Sequence, residues 1–429
     1  MGFGQGLSGL NASSKSLDVI GNNIANAQTV GFKAAQAQFA DVYANSLNGS
    51  GAGQVGIGVK VAAIAQQFTQ GNITPSDNPL DIAISGAGFF RMSDNGAISY
   101  SRNGQFHLDD TGFITNAQGL QLTGYPVSST GLILAGTPVP LHIDTKDLEP
   151  KVTTEVDTQI NLDSRADLPT VTTFNPADPN SYTQSEPVDV YDTLGNKHSL
   201  QVFYVKTGPT PAAPGVGTWD VYSTLDGQLL PPDAATAPGG PIAQLTFDTL
   251  GKLDPVNSVP VTSPLYTFPM DLSAVTSAAG ASPQAITFSL NNSTQFGANY
   301  SLNALHQDGY TSGKLSKFNT GKDGTILGTY TNGQTAVLGQ VVLSNFTDDN
   351  GLQSIGNNQW LETSESGPPL SGAPSVSGLG SLTSSATEDS NTDLTGELVN
   401  MITAQRNYQA NAQTIKTEDQ IMQTLVNLR

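Results

Sequence analysis

The sequence contains no cysteine, so it has neither disulfides nor a thiol nucleophile. This absence suits a cytosolic protein, and equally an exported protein that must cross an envelope unfolded and uncrosslinked. Charged residues are also scarce, at 12% of 429 residues, about half the usual quarter. A surface rich in Gly, Asn, Gln, Ser and Thr instead favours packing against copies of itself, because like charges rarely meet there.

Basic residues are few, with 17 Lys and Arg against 36 Asp and Glu, which gives a net charge of −19. This charge argues against nucleic acid and against anionic membranes, since both bind through basic patches. No apolar run approaches the roughly 20 residues that cross a bilayer, so we expect no membrane insertion. The first residues are too polar for a secretion signal, and Lys15 is their only basic residue. If the protein leaves the cell, we expect export without a cleaved signal peptide.

Motifs for catalysis or metal binding are missing as well. Residues 348–351 resemble part of a calcium loop, but the closing Glu is absent and a turn explains them. No GxSxG motif is present. The sequence therefore predicts no enzyme, cofactor or metal, although a pair of carboxylates brought together by the fold stays open. The four histidines lack a ligand partner at metal-binding spacing, and they are His107, His142, His198 and His306.

The most regular periodicity lies at the C-terminal end, over 392–429. This stretch has no Pro, and its only Gly is Gly396 in the first turn. Spacings of three and four residues predict one long helix with a heptad-like seam. Because Gln405 and Asp419 interrupt this seam, a lone two-stranded coil would be poor and partner helices are expected. The seam and its apolar flank comprise Leu394, Leu398, Met401, Ile402, Tyr408, Ala412, Ile415, Ile421, Met422, Leu425, Val426 and Leu428.

A second amphipathic helix is predicted over 1–27, with Gly31 as a stop signal. Ser14 and Gly21 on its seam would let another helix approach closely. Several Gly and Asn make this helix marginal in isolation, so it needs a partner. The two terminal helices form either an ordinary helical hairpin within a monomer or a surface that contacts other copies. The apolar side chains of the N-terminal seam are Phe3, Leu7, Leu10, Leu17 and Ile24.

Between the helices the hydrophobic period changes to two, which predicts β-hairpins. The strongest turn signal is Thr331-Asn332-Gly333, and a second hairpin is expected over 188–205. We also expect a short helix over 39–47 and a Gly/Ser/Pro linker over 367–385.

The predicted fold class is multidomain α+β. It combines a discontinuous terminal domain, of helical-hairpin or coiled-coil character, with two mostly antiparallel β domains nested in the chain. The expected boundaries are 1–30 and 390–429 for the helical domain, 31–75 and 361–389 for connecting segments, 76–145 and 291–360 for an inner β domain, and 146–290 for an inserted outer β domain.

Three stretches resemble the bacterial flagellar rod and hook family. The first, 7–35, looks like the N-terminal signature of axial subunits. The second, 88–125, is similar to a shared β segment and contains the sequence YSRNGQF, and the third, 390–428, is similar to the family's C-terminal helix. The inserted region, including 188–206 and 308–360, resembles hook subunits rather than the shorter rod subunits. A distal rod subunit is the alternative within the family.

The resemblance implies a structural subunit that assembles into a hollow, curved and flexible tube transmitting torque from rod to filament. Terminal helices would line the inside, and β domains would lie outward. It implies an extracellular location, passage through the flagellar type III export apparatus, and contacts with the hook cap, the distal rod protein and the hook–filament junction protein. Residues 39–43 resemble the family's export signal, in which Phe39 and Tyr43 are the candidate residues.

We therefore expect the helical seams to form the polymerisation interface between copies. A competing hypothesis is a secreted β-rich adhesin with a helical oligomerisation stalk, which a carboxylate pair in a deep cleft would favour. The candidate interface residues are Leu7, Leu10, Leu17, Ile24, Leu394, Leu398, Met401, Tyr408, Ile415, Met422 and Leu425.

Overall fold

The fold is described from a computed structural model, in which the chain forms two compact units. The terminal unit comprises Met1–Thr145, Ser316–Thr329 and Thr335–Arg429, and the inserted unit comprises Lys146–Leu315 and Tyr330–Gln334. The residues described are 2–42, 56–128, 130–144, 146–208, 217–230, 240–254, 258, 267–276 and 280–427.

Two long helices belong to the terminal unit, and they run antiparallel. Helix α1 spans Gly2–Ala25 and helix α3 spans Leu394–Asn427, which confirms both predicted helices. Asp393 caps α3, because its carboxylate accepts a hydrogen bond of 3.0 Å from the N–H of Thr395. A short helix, α2 (Ser273–Thr276), lies in the inserted unit. Among the residues described, none of these helices has both the length and the apolar character needed to cross a membrane.

The strands of the terminal unit form one large sheet of 13 strands and three two-stranded sheets. All strand pairs of this unit whose register is defined are antiparallel. The small sheets pair β1 with β2, β3 with β28, and β4 with β27. These strands are β1 (Ala35–Val42), β2 (Gly58–Gln66), β3 (Ile73–Pro75), β4 (Ile82–Ser85), β5 (Phe89–Asp94), β6 (Ala97–Ser101), β7 (His107–Leu108), β8 (Ile114–Thr115), β9 (Gln121–Tyr125), β10 (Val139–Pro140), β20 (Leu315–Thr320), β21 (Thr325–Tyr330), β22 (Thr335–Val341), β23 (Leu343–Asn345), β24 (Gln353–Gly356), β25 (Gln359–Leu361), β26 (Leu370–Gly372), β27 (Ser381–Ser384) and β28 (Ala386–Glu388).

Aromatic side chains fill one core of the terminal unit. Trp360 lies edge-on to Phe68 and Phe89, with 5.6 Å between ring centroids in both pairs. Tyr100 meets Phe346 in the same way at 4.7 Å. Edge-to-face pairs of this kind are favoured by the ring quadrupoles, so they orient the strands as well as burying apolar area.

Two predictions within this unit are wrong. Residues 39–42 belong to strand β1 rather than to a helix, because the alternating segment AQAQFADV pairs along its length with β2. Residues 43–47 of that predicted helix lie outside the described residues. The segment 367–385 is not an irregular linker, since it forms β26 and β27, which pair with β23 and β4. Ladder hydrogen bonds use backbone groups, so polar and Gly-rich composition does not exclude pairing.

The inserted unit contains two sheets around a second core. One has the order β17-β18-β11-β19, in which only β11 and β18 pair in parallel, and the other has the order β12-β13-β14-β15 with β16 paired to β14. Its buried core includes Val156, Leu200, Trp219 and Phe288. The strands are β11 (Glu155–Asn161), β12 (Gln184–Tyr191), β13 (Lys197–Lys206), β14 (Gly217–Leu225), β15 (Gln228–Leu229), β16 (Ala243–Phe247), β17 (Thr267–Asp271), β18 (Ala285–Ser289) and β19 (Ser301–Gln307).

Both predicted hairpins are confirmed. Strands β12 and β13 pair around a turn in which Asp192 accepts hydrogen bonds from the N–H groups of Leu194 and Asn196. Strands β21 and β22 flank a turn in which Gly333 has a φ of +81°, a conformation that favours glycine. Two long helices and many antiparallel strand pairs confirm the α+β multidomain class.

Candidate assembly surface

Small and polar side chains line the contact between α1 and α3. Gly6 faces Ile415, and a Cβ placed on Gly9 would lie only 2.5 Å from Oδ1 of Asn411. Towards the other end of the pair, Asn23 donates a 3.1 Å hydrogen bond to Glu397. Glycine lets the two helix backbones approach closely at this contact.

Several of the predicted interface residues are exposed in the single chain instead. Leu7, Leu394, Leu398, Tyr408 and Met422 are 39% to 60% exposed. Half-buried positions are Leu10, Leu17, Ile24, Met401 and Ile415. The side chain of Leu425 lies outside the described residues.

The exposed apolar side chains of α1 and α3 together form what we call the assembly surface. Leu394, Leu398 and Ile402 recur every fourth residue and therefore share one flank of α3. Because Gly6 near the start of α1 faces Ile415, the last turns of α3 extend beyond α1 and their apolar side chains are uncovered. Val399 lies on another flank of α3 and was not among the residues predicted from the heptad spacing. The assembly surface consists of Phe3, Leu7, Leu394, Leu398, Val399, Ile402, Tyr408, Ile421, Met422 and Val426.

A buried charge cluster, Lys33, Arg102 and Glu388, lies where the chain leaves α1 and approaches α3. Oε1 of Glu388 accepts hydrogen bonds from Nζ of Lys33 at 2.7 Å and from the N–H of Gly71 at 2.9 Å. Oε2 of Glu388 accepts one of 3.2 Å from Arg102, and Lys33 also donates to the carbonyl oxygen of Thr69 at 2.8 Å. All three charged side chains are at most 4% exposed.

Two cations therefore share one carboxylate in a site without solvent. Burial lowers the pKa of Lys33 below its usual value, and the neighbouring Glu388 offsets part of this effect. Burial likewise lowers the pKa of Arg102, with Glu388 again opposing the shift. Arg102 is also held by a 2.9 Å hydrogen bond to the carbonyl oxygen of Gly86, and its guanidinium lies 5.3 Å from the ring centroid of Phe89.

Two glycines allow the backbones around the cluster to approach closely. Gly31 has a φ of +72°, and a Cβ there would lie 2.6 Å from the backbone nitrogen of Asn103. The N–H of Gly31 donates to the carbonyl oxygen of Glu388 at 2.7 Å. A Cβ on Gly71 would collide with the carbonyl oxygen of Asp389. No larger residue fits at either position without moving the backbone.

Sequence reasoning missed this cluster, because its three members belong to segments far apart in the chain. Lys33 and Arg102 lie in stretches of family resemblance, which was the only signal available. The turn predicted at 348–351 is confirmed, since Asp348 accepts a hydrogen bond from the N–H of Asn350. Within the described ranges, no three His, Asp or Glu side chains are arranged to hold a metal ion.

Comparison with known proteins identifies the family. Four flagellar domain families match the chain along its length. They are "Flagella basal body rod protein" at residues 5–33, "Flagellar hook protein FlgE/F/G D1 domain" at 83–172, "Flagellar basal body protein FlaE D2 domain" at 161–310, and "Flagellar basal body rod FlgEFG protein C-terminal" at 383–428. The flagellar hook protein FlgE of Salmonella typhimurium is 45% identical over 434 residues, covering 100% of both chains.

The chain belongs to the flagellar hook protein family. The hook protein of Escherichia coli K12 is also 45% identical over its full length, and that of Borreliella burgdorferi is 31% identical over 99% of this chain and 98% of its own. The crystal structure of the Helicobacter pylori hook protein FlgE2 superimposes with a TM-score of 0.50 at 17% identity, covering 72% of this chain and 98% of that one. This last likeness supports the fold alone.

Membership of the hook protein family confirms the resemblance drawn from the terminal stretches and the β segment. It also favours the hook over the rod alternative, because the hook protein matches span the whole chain, including the inserted unit. The family is one of structural flagellar proteins rather than of enzymes. It implies a place in the flagellar hook, outside the cell.

Proposed function

We propose that copies of this chain polymerise through the assembly surface into the hollow, curved and flexible tube of the flagellar hook. The observation that carries the proposal is the apolar surface of α1 and α3, which one chain leaves uncovered. Exposed apolar side chains grouped on one part of a protein mark an interaction site. A tube requires contacts between different surface patches of neighbouring copies, and two unequal helices in each chain supply such patches.

The proposed domain plan follows the sequence boundaries. Residues 1–30 and 390–429 form the inner helical layer as an antiparallel, coiled-coil-like pair, and the predicted ranges are 76–145 and 291–360 for the inner β domain and 146–290 for the outer domain. Residues 291–315 and 330–334 are assigned to the outer domain instead, because they lie in the inserted unit. The connecting segments are 31–75 and 361–389. Each Leu or Met buried between copies contributes about 1.5–3 kcal/mol, which makes the helical layer the stiff part of the tube.

The outer domains supply the flexibility in this proposal. Each subunit of a rotating, bent tube is compressed and extended once per turn, so its outer contacts must slide. Polar, water-mediated contacts allow sliding more readily than interdigitated apolar contacts. The scarcity of charge in the sequence suits this role, since like charges then seldom oppose each other as the contacts shift.

Export and partners are proposed from the family. The chain passes through the flagellar type III export apparatus without a cleaved signal peptide, and Phe39 and Tyr43 contribute to its export signal. Phe39 is 42% exposed on β1, which leaves it available for recognition, whereas Tyr43 lies outside the described residues. The proposed neighbours of the polymer are the hook cap, the distal rod protein and the hook–filament junction protein.

The test is a charge introduced into the assembly surface. Leu398→Asp places a carboxylate where an apolar contact between copies is proposed, and Gln413→Asp is the matched control on the same helix. Electron microscopy of purified protein should show short curved tubes for the wild type and for Gln413→Asp, and none for Leu398→Asp. Tubes formed by Leu398→Asp would refute the proposed interface. Export of all three proteins into the medium should be equal.

A further inference from the structure

We propose that the buried charge cluster of Lys33, Arg102 and Glu388 is the positioning device that fixes the α1–α3 pair at one orientation on the β-sheets of the terminal unit. This inference rests on the proposed function, in which torque passes between the helical layer and the β domains. It assigns that mechanical coupling to three named side chains.

The position of the cluster in the chain is the first argument. The helices connect covalently to the sheets at only two places, the segment after α1 and the segment before α3. Lys33 lies on the first segment and Glu388 lies on the second, and their side chains are joined by a 2.7 Å hydrogen bond. A movement of the helix pair that displaces residue 33 relative to residue 388 therefore strains or breaks this ion pair.

Arg102 attaches the cluster to the sheet. Arg102 directly follows strand β6, and it bonds both Glu388 and the carbonyl oxygen of Gly86, which follows β4. The backbone of Gly31 lies against that of Arg102 and Asn103, with no room for a side chain between them. The two helix connections and the sheet thus meet at a point from which solvent is excluded.

The side chain of Asn391 adds hydrogen bonds at the same junction. Oδ1 of Asn391, just before α3, accepts a 2.8 Å hydrogen bond from the N–H of Ala34. Its amide nitrogen donates to the carbonyl oxygen of Gln67 at 2.7 Å and to the hydroxyl of Thr69 at 2.9 Å. These bonds link the connection before α3 to the segments on either side of the β1–β2 hairpin.

A further argument is that the side chains of the cluster are charged. Buried ion pairs seldom contribute more stability than well-packed apolar residues of similar volume, because desolvation opposes the Coulomb attraction. Stability alone therefore does not account for three charged side chains at this junction. Buried hydrogen bonds between charged groups fix both the distance and the direction between their partners, so the cluster selects one orientation of the helix pair.

The experiment separates orientation from stability. The triple variant Lys33→Met, Arg102→Met, Glu388→Leu replaces the cluster with apolar side chains. The control, Lys15→Met with Asp18→Leu, removes an exposed ion pair from α1 in the same way. Because the chain has no cysteine, Asn22→Cys on α1 and Ala97→Cys on β6 introduce the only two spin-labelling sites. Pulsed electron paramagnetic resonance then measures the distance distribution between them in the full chain.

The triple variant should unfold at a temperature close to that of the wild type, while its distance distribution broadens by about twofold or more, as expected when directional contacts are lost. The control should keep the narrow distribution of the wild type. A narrow distribution in the folded triple variant would overturn the proposal, as would a wild-type distribution that is already broad.

If the triple variant does not fold, a second variant still tests the proposal. Lys33→Met alone leaves a charge-balanced pair of Arg102 and Glu388 and should also broaden the distribution, so an unchanged width in this variant overturns the proposal. Electron microscopy of the same wild-type sample tests the proposed function separately. Absence of tubes would refute polymerisation, whereas the distances in the unpolymerised chain would still report whether the cluster positions the helices.

Discussion

Asn23 shows at the residue scale how a polar side chain joins α1 to the rest of the terminal unit. It is 1% exposed, and its amide exchanges hydrogen bonds of 2.8 Å and 2.9 Å with the carbonyl and the N–H of Ala35. It thereby replaces a strand partner at the start of β1. A buried asparagine at a helix end is therefore part of the fold rather than a sign of a weak helix.

We predict that Asn23→Ala leaves these two backbone groups unpaired and lowers the free energy of unfolding of the terminal unit by about 2–6 kcal/mol, at about 1–3 kcal/mol for each group. Denaturant unfolding followed by Trp360 fluorescence, in a Trp219→Phe background, measures the loss. The exposed neighbour substitution Asn22→Ala is the control and should change little. Equal stability of the two variants would show that the Ala35 bonds do not hold in solution.

His198 lies between two carboxylates in the inserted unit. Its side chain is 7% exposed, with Nδ1 2.7 Å from a carboxylate oxygen of Asp226 and Nε2 3.4 Å from one of Asp192. Burial by itself lowers the pKa of His198, but hydrogen bonds to Asp226 and Asp192 outweigh it, so the net pKa is raised. A histidine whose pKa is raised by folding stabilises the fold fully at pH values below the pKa of the unfolded chain, about 6.5. This contribution is lost as the pH rises through the pKa of the folded state.

We therefore predict that the inserted unit unfolds at progressively lower temperature as pH rises from about 6.5 through the folded pKa of His198. Trp219 fluorescence in a Trp360→Phe background follows this unit alone. His198→Gln, which can still hydrogen-bond but does not titrate, should remove this part of the pH dependence. An identical pH profile for His198→Gln would exclude His198 as its source.

The sequence predicted the residues of turns better than those of the charge cluster. Asp192 and Gly333 act within a few residues of their own position, so local pattern suffices to place them. Lys33, Arg102 and Glu388 meet only after the chain has folded, and no periodicity relates them. Val399 was missed for a different reason, because a seam defined by heptad spacing excludes residues on other flanks of the same helix.

At the scale of elements, the contact between α1 and α3 depends on glycine in α1. Gly9 meets the side chain of Asn411, whereas a Cβ on Gly21 would meet nothing within 4 Å. The two glycines thus have different surroundings in one helix, and of the two only Gly9 lies at the contact with α3. The apolar seams do not set this distance, since several of their members face outward.

We predict opposite effects of substituting these two glycines. Gly9→Leu should force the helices apart and reduce the yield of tubes sharply, whereas Gly21→Ala should stabilise α1 by about 0.5–1 kcal/mol because alanine favours helix. Sedimentation of polymer measures the yield, and circular dichroism measures helix content. Normal polymer yield from Gly9→Leu would show that close approach of α1 and α3 is not required for assembly.

Helices and strands could be predicted where the local conformational preference of the residues agrees with the way the segment packs or pairs in the fold. The long helix α3 and the hairpin of β21 and β22 follow from periodicity and turn chemistry. Strand β1 was mistaken for a helix because alanine and glutamine favour helices, yet pairing with β2 decides the outcome. The strands of 367–385 were missed because their partners, β4 and β23, lie elsewhere in the sequence.

For the whole molecule, we propose that the terminal unit serves assembly and the inserted unit serves flexibility. We predict that replacing 146–314 by a short Gly/Ser linker leaves a chain that still forms tubes, because the assembly surface belongs to the terminal unit. The tubes should bend abnormally, since the proposed sliding contacts are gone. Persistence length measured from electron micrographs tests this. Unchanged stiffness would exclude the inserted unit from bending, and Leu398→Asp in the same background should again abolish tubes.

The proposed assembly is tested most directly by a cryo-electron microscopy map of tubes grown from the purified chain. We predict that α1 and α3 form the innermost layer and that Leu394, Leu398 and Met422 are buried against helices of neighbouring copies. A map in which the terminal helices lie on the outside of the tube, or in which these three side chains face solvent, would contradict it.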